Sequence, residues 1–179
     1  MVADSTLFQG TIRLNLDPAN EFSDTQLWEA LDQASLKPYI GECLGGTLDA
    51  SVAQGGDNLS VGQRQLLCLA RALLIRAKVV VLDEATASVD LQTDAVVQEA
   101  LRKYFTGSTV LTIAHRLNTI IDYDRVLVMD DGHVREFDRP SVLLDDPKSL
   151  FSALVDETGS SNAEYLRTLA RNSRKDQEP

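Results

Sequence analysis

Apolar positions recur along this chain at different spacings, and each spacing predicts a different element. Between Ser23 and Leu36 they fall at 27, 28, 31 and 34, which share one face of a helix. Ser23 and Gln26 have the form of a capping box, so a helix is expected over 24–36, ended by Lys37-Pro38. Residues 60–76 repeat the pattern, with Ser60 and Gln63 as a second capping box. There Leu59, Gln63, Leu66, Leu67, Ala70, Leu73 and Leu74 make a core stripe, and Arg64, Arg71 and Arg76 lie off it or at its edge. Val79-Val80-Val81-Leu82 is a continuous apolar run, the pattern of a strand covered on both faces. Residues 91–105 predict a helix with Leu91, Val97, Leu101, Tyr104 and Phe105 inward, and Thr109 to Ile113 a second strand. Strand, helix and strand in this order form a βαβ unit, so the two strands are expected to be parallel and to end on one edge of the sheet.

The flanks are less regular. Leu7 to Ile12 reads as a short strand or loop, and Asp17-Pro18 as a turn. Residues 41–58 are rich in glycine and read as loop. Arg125 to Met129 predicts a third strand, which Asp131-Gly132 turns back into an antiparallel edge strand from His133 to Phe137. Pro140 starts one short helix, and Leu150 to Val155 forms another. A weak helix over 162–171 and a frayed polar tail close the chain.

Two glycine patterns bear on chemistry. The stretch from Gly41 to Gly46 and Thr47 has the glycine spacing of a phosphate-binding P-loop, but no lysine follows Gly46 and no buried strand precedes it, so it reads as a surface loop. Gly62 stands in the first turn of the 60–76 helix, where glycine costs about 1 kcal/mol against alanine. That cost makes sense if something must come close to the backbone there.

Composition narrows the classes. The chain has 179 residues, enough for one domain with a real core, and is 44% hydrophobic and 25% charged. Its net charge of -10 disfavours a general nucleic-acid surface, yet leaves room for phosphates held by backbone N–H groups. Cys43 and Cys68 have no metal-ligand spacing and form no disulfide framework, which suits a reducing compartment. The apolar runs are too short to cross a bilayer and no signal peptide is visible, so a membrane link is expected through a partner or a longer chain.

Asp83 and Glu84 stand at the ligand-binding edge of the expected sheet, where one carboxylate can hold Mg²⁺ and the next can orient or deprotonate a water. His115 ends the neighbouring strand, where an imidazole can donate to a phosphate oxygen. Ser60-Val61-Gly62-Gln63 offers a hydroxyl, a bare backbone and free N–H groups at a helix start, an anion site. Taken singly, each has a plainer reading as a cap or a structural hydrogen bond.

In order, Leu59-Ser60-Val61-Gly62-Gln63, then Val79 to Glu84, then Ala85 to Asp90, then Ile113-Ala114-His115-Arg116 resemble the nucleotide-binding domain of ATP-binding cassette (ABC) transporters. They match its signature motif, Walker B strand, D-loop and switch histidine. The likeness extends to about residue 155. Leu7 to Pro18, Leu117 to Ile120 and the valine at 61 resemble the second such domain of the C subfamily, the multidrug-resistance-associated type.

This resemblance implies an α/β fold of the P-loop NTPase kind: an incomplete three-layer parallel sheet with an α-helical subdomain. Residues 1–76 would carry the helical subdomain, 77–155 half of the catalytic core, and 156–179 a polar tail. ATP and Mg²⁺ are the implied cofactors. Ser60, Gly62 and Gln63 would face the γ-phosphate of an ATP held by the opposing domain; Asp83 would support Mg²⁺, Glu84 would be the general base, Asp90 would bridge the dimer and His115 would contact the γ-phosphate. The implied partners are a second nucleotide-binding domain and transmembrane domains, with no nucleic acid, placing the chain at the cytoplasmic face of a membrane as part of an exporter. Two departures stand out: no Walker A motif or preceding aromatic for adenine is present, and Ala3 holds the place of a family glutamine. The chain therefore looks cut off at its start, and alone it is expected to hydrolyse little or no ATP. The alternative is a truncated, non-catalytic module that pairs with an intact domain. A soluble ABC ATPase fits the C-subfamily-like flanks less well.

Overall fold

The computed structural model describes residues 6–83, 91–114 and 116–175 (for 83, 91, 174 and 175 the backbone path only). The chain forms two compact units, Met1–Ile113 and Ala114–Pro179, each with its own hydrophobic core.

The first unit opens with a two-residue strand β1 (Gly10–Thr11), paired antiparallel with β2 (Ser51–Val52). Between them lie α1 (Ile12–Leu16), α2 (Asp24–Gln33) and α3 (Lys37–Cys43). The helix α1 is an addition to the sequence reading. It is too short to show a period, but Thr11 caps it, its hydroxyl accepting from Leu14 N at 3.1 Å. The expected capping box of α2 is present, with Ser23 N donating to Gln26 Oε1 at 2.9 Å. This helix ends earlier than 36. Ser35 adopts φ 55°, and Leu36 N donates back to Leu31 O at 2.8 Å, the left-handed closure that terminates many helices. Pro38 then sits in the first turn of α3, where its missing N–H leaves no bond unmade.

The near P-loop resolves in the same way. Gly41 is inside α3, and Gly45 and Gly46 close that helix at φ 77° and 68°, with Gly46 N donating to Ile40 O at 3.0 Å. They shape an exposed helix end.

Helix α4 (Val61–Ile75) buries Leu66, Leu67, Cys68, Leu69, Ala70, Leu73 and Leu74, a stripe wider than expected, while Gln63 is half-buried. Burial pushes the Cys68 thiol above its ordinary pKa, which keeps it protonated and unreactive. Strand β3 (Val79–Asp83), helix α5 (Leu91–Tyr104) and strand β4 (Thr109–Ile113) form the expected βαβ unit, and the strands are parallel in the register Val79↔Thr109 to Asp83↔Ile113. The strands differ from expectation in one respect. Val80 and Leu82 join the core with Val97, Ala100, Leu101 and Phe105, but Val79, Val81, Leu111 and Ile113 are between 36% and 57% exposed. Among the described residues, this sheet has two strands and one covered face. Tyr104, expected inward, lies at the margin with the Lys103 ammonium 5.1 Å from its ring centre.

The second unit holds the hairpin of β5 (Val126–Asp130) and β6 (His133–Asp138) with α6 (Pro140–Asp145), α7 (Leu150–Asp156) and α8 (Ser160–Lys175). Asp131 and Gly132 both take positive φ, 48° and 71°, as a tight hairpin turn requires. Helix α8 is longer and firmer than the weak helix expected. Ala163, Leu166 and Ala170 enter the core, and Arg167 donates to Leu144 O and, at 2.9 Å, to Ser152 Oγ.

Candidate functional site

The start of α4 is assembled from three local devices. Asn58 closes the loop before it, accepting from Ala53 N at 2.8 Å and donating to Ser51 O at 2.9 Å. Arg64 reaches back from the first turn of the helix and donates to Leu59 O at 2.9 Å and Gly56 O at 3.3 Å. Ser60 Oγ accepts from Gln63 N at 3.1 Å, and Gln63 Oε1 accepts from Ser60 N at 2.8 Å. Two of the four N–H groups a helix start leaves unbonded are satisfied in this way.

What remains is a set of donors. The N–H groups of Val61 and Gly62 have no acceptor within the helix. The Ser60 hydroxyl and the Gln63 amide nitrogen still carry hydrogens. No acidic residue occupies the first turn, so the positive end of the helix dipole is not neutralised by a carboxylate. Ser60 and Val61 are exposed. Chemically, this is a donor-rich helix start of the kind that can accept an anion.

Ser60 and Gln63 therefore stand together at one surface, as expected. Gly62 is turned differently: it is buried, and the close approach it permits is made by Thr93 of α5, whose Oγ1 would lie 2.8 Å from an added Cβ. The sequence signals a close approach at Gly62 but not its partner. Asp83 ends β3 beside Ile113, so the backbones of the two parallel strands finish on the same edge, where α/β sheets receive ligands. Its side chain, together with Glu84, Asp90 and His115, lies outside the described residues.

A second cluster went unread in the sequence. Asn15 is fully buried, accepts from Phe8 N at 2.9 Å and donates to Phe8 O at 2.8 Å and Thr11 O at 3.0 Å. Arg71 of α4 donates to Asn15 O at 2.7 Å and to Thr6 O at 3.3 Å. These bonds fasten the N-terminal segment to the helix that begins at Ser60. The partners are 56 and 65 residues away from Arg71, so no local pattern links them.

Comparison with known proteins places these elements in a family. A family model described as ABC transporter matches residues 3–87, the span that contains α1 to β3 and the Ser60 turn. The chain is 55% identical over 159 residues to "Metal resistance protein YCF1" of Saccharomyces cerevisiae, covering 89% of this chain and 10% of that protein. The chain belongs to the ABC transporter family. Its other relatives point to the C subfamily: "ABC transporter C family member 3" of Dictyostelium discoideum is 55% identical over 94% of the chain and 12% of its own length. "ATP-binding cassette sub-family C member 4" of Homo sapiens is 49% identical over 94% of the chain and 13% of its own length. The chain thus spans about a tenth of the length of the curated ABC relatives it matches. As an ABC nucleotide-binding sequence it has the α/β fold of the P-loop NTPases. Among the described residues no helix is long and apolar enough to cross a membrane.

Proposed function

We propose that this chain contributes two half-sites to an ATP-binding cassette machine. In the first, Ser60, Gly62 and Gln63 receive the γ-phosphate of an ATP bound to a second nucleotide-binding domain. The observation that carries this reading is the donor-only first turn of α4, with its capping bonds made internally and no carboxylate in place. In the second, Asp83 supports Mg²⁺, Glu84 orients and deprotonates the attacking water, His115 touches the γ-phosphate and Asp90 bridges to the partner domain. The parallel strand ends support this reading, because they bring the backbone of Asp83 to the ligand edge.

ATP supplies the phosphoryl group and Mg²⁺ neutralises charge on its oxygens. The chain's own residues do the rest: the α4 turn binds, and the carboxylate of Glu84 moves a proton. In this reading residues 1–76 serve the partner's nucleotide and 77–155 the chain's own, while 156–179 lie outside both. Joined to transmembrane domains, the chain works at the cytoplasmic face of a membrane and couples hydrolysis to export.

These 179 residues contain no GxxxxGK[ST] sequence, so the Asp83–Glu84 half has no phosphate cradle within them. The purified chain is expected to show negligible ATPase activity by a phosphate-release assay. A measurable rate abolished by Glu84→Gln overturns that expectation and assigns a complete site to this chain.

A further inference from the structure

Gly62 presents a packing problem that the anion seat alone does not explain. A Cβ built at residue 62 would meet three atoms of one side chain: Thr93 Oγ1 at 2.8 Å, Cγ2 at 3.0 Å and Cβ at 3.3 Å. The first distance is closer than Cβ atoms approach other heavy atoms. Nor can Thr93 give way by rotation. It is β-branched and sits on a helix, so swinging the hydroxyl aside brings the methyl group toward the same space. Gly62 is buried, whereas Ser60 and Val61 on either side of the helix start are exposed. The first turn of α4 therefore has two faces, one of donors toward solvent and one of bare backbone against α5.

We propose that Thr93 is a positioning residue for the Ser60–Gln63 turn: its side chain fills the place a Gly62 side chain would take and fixes the first turn of α4 against the first turn of α5. The sizes of residues 62 and 93 are then complementary, and a side chain at one requires a smaller one at the other. Helix α5 follows directly on the segment that leaves β3 at Asp83. Through Thr93, the start of the helix that follows β3 in chain order seats the turn that holds the Ser60 and Gln63 donors. That this turn receives a nucleotide rests on the reading under Proposed function; the seat itself does not.

The test uses the whole 179-residue chain without nucleotide. Helix propensity alone makes Gly62→Ala raise the unfolding midpoint, because alanine is the better helix former. The seat predicts the opposite sign, a fall of about 2–6 °C, as overpacking outweighs propensity. In the double variant Gly62→Ala/Thr93→Ala the midpoint recovers to at least that of the native chain, while Gly62→Ala/Thr93→Val, which keeps the threonine shape, does not recover. The amide resonance of Gln63 moves in Gly62→Ala and returns in the Thr93→Ala double variant. If Gly62→Ala alone does not fold, recovery of folded protein in that double variant supports the seat, and its failure to fold overturns it. A rise in midpoint for Gly62→Ala, or simple additivity of the two substitutions, also overturns it. Absence of ATP binding would remove the nucleotide reading and leave these results unchanged.

Discussion

Replacing Asn15 by leucine tests how the site-bearing helix is tied to the rest of its unit. Leucine has the same branching and the same number of side-chain heavy atoms, so the substitution removes hydrogen bonds without opening a cavity, and its bulkier methyl groups add packing strain in the same direction. Asn15 makes three well-formed bonds, with Phe8 N, Phe8 O and Thr11 O at 2.8–3.0 Å, and a longer one from Arg71 at 3.4 Å. At about 1 kcal/mol for each well-formed bond the loss is about 3 kcal/mol. The Phe8 groups are only partly buried, so water recovers some of this, and 2–4 kcal/mol is the order expected. Trp28 is the only tryptophan and lies in α2 of the same unit, so its fluorescence reports unfolding of that unit alone. With a urea dependence of about 2 kcal/mol per molar, the midpoint falls by roughly 1–2 M. Arg71→Lys keeps the charge but loses the planar fork, and its shift is smaller, on the order of 1 kcal/mol. A change below about 0.5 kcal/mol for Asn15→Leu would refute the claim that this buried amide fastens the N-terminal segment.

Other outcomes follow from single contacts. Arg76 caps α4 at φ 48°, so Arg76→Gly relieves a left-handed conformation and stabilises the chain by about 0.5–1 kcal/mol in a thermal melt. In the second unit, the Glu136 carboxylate accepts from Leu150 N at 2.7 Å, Phe151 N at 3.0 Å and Ser149 Oγ at 3.0 Å, so Glu136→Ala costs about 1–3 kcal/mol there and leaves Trp28 fluorescence at its native value in mild urea. The hydrogen bond from Arg13, at 2.7 Å, lowers the Asp24 pKa. A depressed carboxyl stabilises the fold above its unfolded pKa and loses that contribution as pH falls through the folded value. The gap in stability between native chain and Asp24→Asn should therefore close below about pH 4, as followed by urea titration across pH.

Both capping boxes were legible because their partners are three residues apart and the rule is local. The βαβ unit was legible because strand and helix periods alternate cleanly from Val79 to Ile113. The short helix after Thr11 was not, since five residues hold little more than one turn. Helix α8 was underread for another reason. Its inward positions 163, 166 and 170 keep helical spacing, but two are alanine, and a polar background hides so narrow a stripe. The continuous apolar run in β3 suggested cover on both faces, whereas the described residues cover only Val80 and Leu82. At the candidate site, the Ser60–Gln63 capping box was legible from spacing, and a close approach at Gly62 from the helix-propensity cost of glycine. Thr93, Asn15 and Arg71 carry no such mark, because contacts between distant segments leave no period in the sequence.

The most direct measurement of the central claim labels the chain with ¹⁵N and follows the amides of Ser60 to Gln63. An intact C-subfamily nucleotide-binding domain is added, loaded with Mg²⁺ and ATP and carrying a substitution of its own general base that prevents turnover. The account predicts saturable shifts at Val61, Gly62 and Gln63 with ATP, lost when ADP replaces it, and no shift at Leu150 or Phe151. Equal shifts with ATP and ADP, or none at Val61 and Gly62, would contradict it.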